Sequence, residues 1–336
     1  MTIVNKIRNP FLKFILRSAS FLLFLVVLGI VIQLFSFFKA GTETEPAKNT
    51  DHGYIIRALS IPEDLEFAGE VVPIDNFDAW ESFDRELLVN TYWQSQTLLF
   101  IKRANRYFPV IEPILKEYGI PDDFKYLALA ESGLTMAVSP AGAVGFWQFM
   151  RGTAGDYGLE VNDEVDERYH IEKSTVAACR FLLESYTRYN SWTMAAASYN
   201  AGRRGMDNQI GIQKESDYYD LLLNEETQRY VFRILAIKTI LEDQSGYGFY
   251  VDENDLYPPI SFIEIEVQSS VPDFADFAKE FNTNYKMIKF LNPWLRKPTL
   301  TNRSGKTYFI RLPAENARSR SGYFNKDEQV AQDIAY

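Results

Sequence analysis

The chain has 336 residues, a formal net charge of −10, two histidines and a single cysteine. That length is enough for two compact domains. The acidic balance argues against nucleic acid as the main partner, because phosphate binding needs clustered Lys and Arg. One cysteine excludes an intramolecular disulfide, and so few thiols and imidazoles make a His/Cys metal site improbable. Cys179 lies in an apolar helical stretch and reads as a small buried hydrophobe. The 25 Phe, 20 Tyr and 5 Trp point to a large aromatic core, with a minority left over for stacking on sugars.

Lys6, Arg8, Lys13 and Arg17 precede an uncharged apolar run from Phe21 to Phe38. A run of this length can cross the hydrocarbon core of a bilayer as one transmembrane helix. It exceeds the apolar stretch of a cleaved signal peptide, and Phe38-Lys39-Ala40 is a poor cleavage site. The basic tip is expected to stay in the cytoplasm. Residues 1–39 therefore form a cytoplasmic tip and an anchor, with everything beyond Lys39 outside the cytoplasm. Residues 40–79 read as a polar linker and an extended wrapping segment, broken by Pro62, Gly69 and Pro73.

Helical periodicity dominates from about Trp80 to Asp243. The pattern predicts helices over Phe83–Arg106, Pro113–Gly119, Pro121–Gly133, Phe146–Gly152, Ile171–Tyr189, Trp192–Ala201 and Glu226–Gln244. Residues 80–246 thus form an all-α domain. Tyr247–Pro259 is rich in Tyr, Asp and Pro and marks a boundary. Beyond it, a strand at Phe262–Val267, short helices around Phe274 and Tyr285, and a strand at Tyr308–Leu312 make a small βααβ module, residues 260–314. A polar tail, 315–336, completes the chain.

One carboxylate is out of place. Phe124, Leu127 and Ala128 define the buried stripe of their helix, and Glu131 is its next position. It also falls in the last turn before Gly133, where the helix dipole disfavours negative charge. Burial and dipole together raise a carboxyl pKa, and a general acid working near neutrality needs such a setting. The competing reading is a buried structural Glu, ion-paired with Arg151 or Arg229. Three further segments weigh on the choice. Gly142–Met150 sets small residues beside aromatics and the amide of Gln148, where glycines permit close backbone approach to a ligand. Trp192, Ala195, Ala196 and Tyr199 form a helix stripe ending in Asn200-Ala201-Gly202, which reads equally as an ordinary helix stop. Tyr230 lies on the stripe of Ile234, Ile237 and Leu241, where a core tyrosine is the plain alternative.

In order along the chain, Glu131-Ser132, Gly145-Phe146-Trp147-Gln148-Phe149-Met150, Ala197-Ser198-Tyr199-Asn200-Ala201-Gly202 and Glu226-Thr227-Gln228-Arg229-Tyr230-Val231 resemble the motifs of the soluble lytic transglycosylase and goose-type lysozyme superfamily. Each is weak alone, and the four in order are specific. Two positions depart from the pattern: Ser198 within the Ala-Tyr-Asn-Ala-Gly motif, and the Phe146-Trp147 pair in place of aliphatic residues. Ile265–Val267, Phe274–Phe281, Ile288–Pro293 and Gly305–Ile310 resemble a LysM module, with Ser270-Val271-Pro272-Asp273 where a Gly-Asp-Thr turn is usual.

The resemblance implies a mainly α fold: a lysozyme-like catalytic domain plus a LysM-like module that binds peptidoglycan. It implies cleavage of the β-1,4 bond between N-acetylmuramic acid and N-acetylglucosamine, with a 1,6-anhydro ring formed in place of hydrolysis. Glu131 is the catalytic residue it implies, and Ser132, Gln148, Phe149, Met150, Tyr199, Asn200 and Tyr230 are the substrate-binding ones. Neither metal nor cofactor is expected. The implied partners are glycan strands and, through the N-terminal helix, a membrane, with the catalytic region in the periplasm or otherwise outside the cytoplasm. A lysozyme-like hydrolase and a non-catalytic wall-binding protein are the alternatives.

Overall fold

The structure, a computed structural model, describes residues 56–320. The expected anchor at Phe21–Phe38 and most of the polar tail lie outside the described residues. Among those described, no helix is long and apolar enough to cross a membrane. The described residues from Leu59 onward belong to one compact unit, and the architecture is mainly helical.

Extended chain comes first. A two-residue hairpin pairs β1 (Glu66–Phe67) with β2 (Glu70–Val71). Leu65, Phe67 and Val72 bury their side chains here. The carboxylate of Glu70 accepts from the Trp192 and Thr193 amides and from the Ser191 and Thr193 hydroxyls. Four donors at a helix N-terminus suit a carboxylate, because the first amides of a helix lack intrahelical partners.

Two long helices follow, α1 (Phe77–Tyr92) and α2 (Gln94–Glu117). This differs from the expected Phe83–Arg106 and Pro113–Gly119. The break falls at Trp93, where the Thr97 hydroxyl bonds the Asn90 carbonyl. The second helix then runs through Pro109 and Pro113. An interior proline costs about 3 kcal/mol. The continuous buried stripe of Phe100, Ile101, Ala104, Phe108, Ile111 and Leu115 outweighs that. Then come α3 (Phe124–Ser132), α4 (Arg151–Asp156), α5 (Ile171–Tyr189), α6 (Trp192–Ala201), α7 (Arg203–Gln213) and α8 (Glu225–Glu242). Helix α7 was not expected. It buries only Met206 and carries Gly205 and Gly211, so its apolar pattern is faint. Helix α8 starts where the Asn224 side chain caps the Thr227 amide.

The expected helix at Phe146–Gly152 is replaced by an irregular loop, with α4 beginning only at Arg151. Gly145 and Gln148 both have positive φ, 80° and 48°, which a right-handed helix cannot accommodate. Gly145 is also pressed against the neighbouring chain: a Cβ there would sit 2.1 Å from the Arg168 backbone oxygen.

The C-terminal module has β3 (Phe262–Val267) antiparallel to β4 (Tyr308–Pro313), with α9 (Phe274–Glu280) and α10 (Tyr285–Leu291) between them. Its core, built on Phe274, Ile288, Trp294 and Ile310, is completed by Val144, Val165 and Tyr169 of the helical domain. Polar contacts line the same junction. Glu164 accepts from Thr299 and Thr301, and Glu160 from Tyr308. The Arg311 guanidinium bonds Glu172 at 2.6 Å and helps hold that carboxyl down to about 2 against the opposing effect of burial.

Candidate active site

Glu131 lies in the last turn of α3. The helix stops because Gly133 adopts a left-handed conformation, φ 60°, and its amide closes on the Leu129 carbonyl at 2.8 Å. Phe100 and the Arg103 guanidinium crowd Gly133 from α2. The stripe of Phe124, Leu127 and Ala128 is fully buried. It carries Glu131 into a half-buried position, lined by protein yet still open to solvent.

Neither of the ion pairs weighed from the sequence forms. Arg151 bonds the Val161 carbonyl, and Arg229 pairs with Glu86 and Glu225. Instead the Tyr230 hydroxyl, from α8, donates a short hydrogen bond to a Glu131 carboxylate oxygen. Desolvation pushes the Glu131 carboxyl up from 4.5 to about 7, with Glu226 adding to the rise. The Tyr230 hydrogen bond and the Arg233 charge oppose it without cancelling it. The carboxyl is therefore poised between its two protonation states near neutral pH.

The Gly142–Met150 loop is tied to the helices that carry the site. The Ser132 hydroxyl bonds the Phe146 carbonyl at 2.9 Å, and the Tyr199 hydroxyl, from α6, bonds the Trp147 carbonyl at 2.7 Å. These two bonds clamp the loop to the helices on either side. The Trp147 indole N–H is buried and donates to Thr175 at 2.8 Å. Arg168, itself buried and paired with Asp166, donates to the Gly142 and Phe149 carbonyls from beneath. Gln148 spends its side-chain N–H on the Gly145 and Ala137 carbonyls. Its amide oxygen accepts no hydrogen bond among the described residues.

The expected site residues fall into two groups. Glu131, Ser132, Tyr199 and Tyr230 are joined directly or through the loop, and Gln148 belongs to that loop. Asn200 is held at the end of α6 between Glu226 and Thr227. Phe149 is buried against Tyr157 and Tyr199, so its ring is taken up by packing. Met150 is exposed at the start of α4. The sequence reading missed Arg233 and Glu86. Glu86 carried the same signal as Glu131, a carboxylate inside the buried stripe of Phe83 and Leu87.

Sequence comparison finds two matching families. Residues 109–222 match the Transglycosylase SLT domain, and residues 263–316 match the soluble lytic transglycosylase C-terminal LysM-like domain. The first stretch contains Glu131, Gln148, Tyr199 and Asn200, and stops short of Tyr230. More particularly, the chain is similar to membrane-bound lytic murein transglycosylase D of Escherichia coli strain K12. Identity is 27% over 221 residues, covering 64% of this chain and 48% of the relative. The protein of the same name from E. coli O6:H1 matches equally. The chain spans about half the length of the curated relatives it matches.

Proposed function

We propose that this protein is a peptidoglycan lytic transglycosylase that cleaves the β-1,4 bond between N-acetylmuramic acid and N-acetylglucosamine, with Glu131 as its acid and base. The observation that carries the reading is a half-buried carboxyl poised near neutrality, hydrogen-bonded by Tyr230, within the segment that matches the SLT domain. Protonated Glu131 donates to the glycosidic oxygen as the bond to the muramyl anomeric carbon breaks. A retaining glycosidase would supply a second carboxylate as nucleophile. Here the substrate's own N-acetyl carbonyl fills that role and stabilises the cationic carbon. Ionised Glu131 then takes the proton of the muramyl 6-hydroxyl, whose oxygen bonds the anomeric carbon and closes the anhydro ring. No water is consumed, so keeping water from the cation is what separates this outcome from hydrolysis. In this reading Tyr230 orients the carboxylate, and the Gln148 amide oxygen, which accepts no hydrogen bond among the described residues, receives a sugar substituent.

The LysM-like module is proposed to hold glycan. The apolar run at Phe21–Phe38 is proposed to anchor the catalytic region at the outer face of a membrane, in keeping with the relative's name. Mass spectrometry of purified peptidoglycan digested by the protein tests the reaction. Muropeptides ending in anhydro sugars, each lighter by one water than a hydrolase product, are expected. Reducing ends would make the protein a hydrolase, and an undigested polymer would leave a binding protein.

A further inference from the structure

Glu86 on α1 is 1% exposed and faces three guanidiniums. Arg229 bonds it at 2.7 Å, Arg85 makes a short contact, and the Arg233 Nε lies 3.7 Å away. One carboxylate among three cations is an unusual choice for stability alone, because a buried ion pair seldom outperforms apolar packing. The arrangement bears on Glu131. Tyr230, which donates to Glu131, and Arg233 are three residues apart and share a helix face. Arg233 is thus within electrostatic reach of Glu131 as well as of Glu86. Among the described residues no other carboxylate lies within ion-pair distance of Arg233.

We propose that Glu86 is a positioning residue: its buried carboxylate holds the Arg233 guanidinium on the α1 side of α8, so that Arg233 does not pair with Glu131 and lock it in the ionised form. The other groups facing Glu131 are Tyr199 from α6 and Tyr230 and Glu226 from α8. Arg103, at the neighbouring turn, is committed to the Gly133 carbonyl at 3.0 Å. Arg233 is the one whose placement a neighbouring carboxylate decides. Withdrawing that carboxylate releases Arg233 toward Glu131, which already feels its charge.

The inference rests on Glu131 being the general acid, and the test separates the two. The turnover of purified peptidoglycan by the full-length protein is followed against pH for the wild type, Glu86→Gln, Arg233→Gln and the double variant. An opposite charge brought within about 4–6 Å lowers a carboxyl by about 1 to 3 pH units. The alkaline limb of Glu86→Gln is therefore expected to move down by about 1 unit. Arg233→Gln keeps the Glu86–Arg229 bond, and its limb is expected to move up. The double variant is expected to follow Arg233→Gln. A purely structural role for Glu86 lowers the amplitude of the profile and leaves its limb in place, which overturns the proposal. Should Glu86→Gln not fold, an unmoved limb in Arg233→Gln overturns it equally. If Glu131→Gln is fully active, the general-acid reading has failed. If Glu131→Gln is inactive and no limb moves, only the role of Glu86 has failed.

Discussion

Replacing Glu131 by Gln keeps size and shape and removes the proton that titrates near neutrality. The amide oxygen still accepts from Tyr230, so the hydrogen bond to α8 survives. Two effects with different pH dependence follow. Activity is expected to fall at least ~100-fold, the low end for loss of general acid–base catalysis. Stability is expected to move the other way above neutral pH. The folded-state carboxyl titrates at about 7 and an ordinary one at 4.5. With the folded value above the unfolded one, the stabilising contribution is complete below pH 4.5 and is lost as pH rises through about 7. At about 1.4 kcal/mol per pKa unit, the wild type gives up about 3 kcal/mol across that window and Glu131→Gln does not. The stability difference, variant minus wild type, is thus expected to climb by about 3 kcal/mol between pH 4 and pH 8, because titration of every other group cancels in the comparison. Urea unfolding of both proteins across that range measures it, alongside anhydro-product formation on the same preparations. An active Glu131→Gln enzyme, or a stability difference flat with pH, refutes the reasoning. A paired, ionised Glu131 would give an active variant and a stability difference that does not climb with pH.

Three more outcomes are expected. Gly145→Ala forces a side chain against the Arg168 backbone at a φ of 80°, so urea denaturation should show a loss of about 3 kcal/mol or more, with activity falling as the loop shifts. Ending the chain after Gly246 uncovers Val144, Val165 and Tyr169, removes Tyr308 from Glu160, and removes Thr299 and Thr301 from Glu164. The thermal midpoint of the remaining domain should drop, and an unchanged midpoint would show that the shared core contributes nothing. Burial pushes the Cys179 thiol up to about 12, so a disulfide reagent at pH 8 should leave the folded protein unmodified and label it once denatured; labelling of native protein would contradict that burial.

Local pattern sufficed wherever one face of an element decides its fate. The stripe of Phe124, Leu127 and Ala128 located Glu131 and its burial, and Gly133 located the helix end, because a 3.6-residue period and a left-handed stop are written in adjacent residues. The βααβ order of the C-terminal module was legible for the same reason. Local pattern failed where distant chain outweighs nearby preference. One helix was expected to end at Arg106 and another to open at Pro113, yet the packing of Phe108, Ile111 and Leu115 carries a single helix through. Phe146–Gly152 read as a helix, yet Arg168, Ser132 and Tyr199 hold its first part as a loop. The composition break at Tyr247–Pro259 carries no trace of Val165 lying against Leu295. By itself the sequence determined which carboxylate stands on an apolar stripe at the wrong end of a helix. Only the tertiary structure decided that Tyr230, 99 residues away, is its partner and that Arg229 is not, because a hydrogen bond depends on where α8 crosses α3 and no spacing within either helix records that crossing.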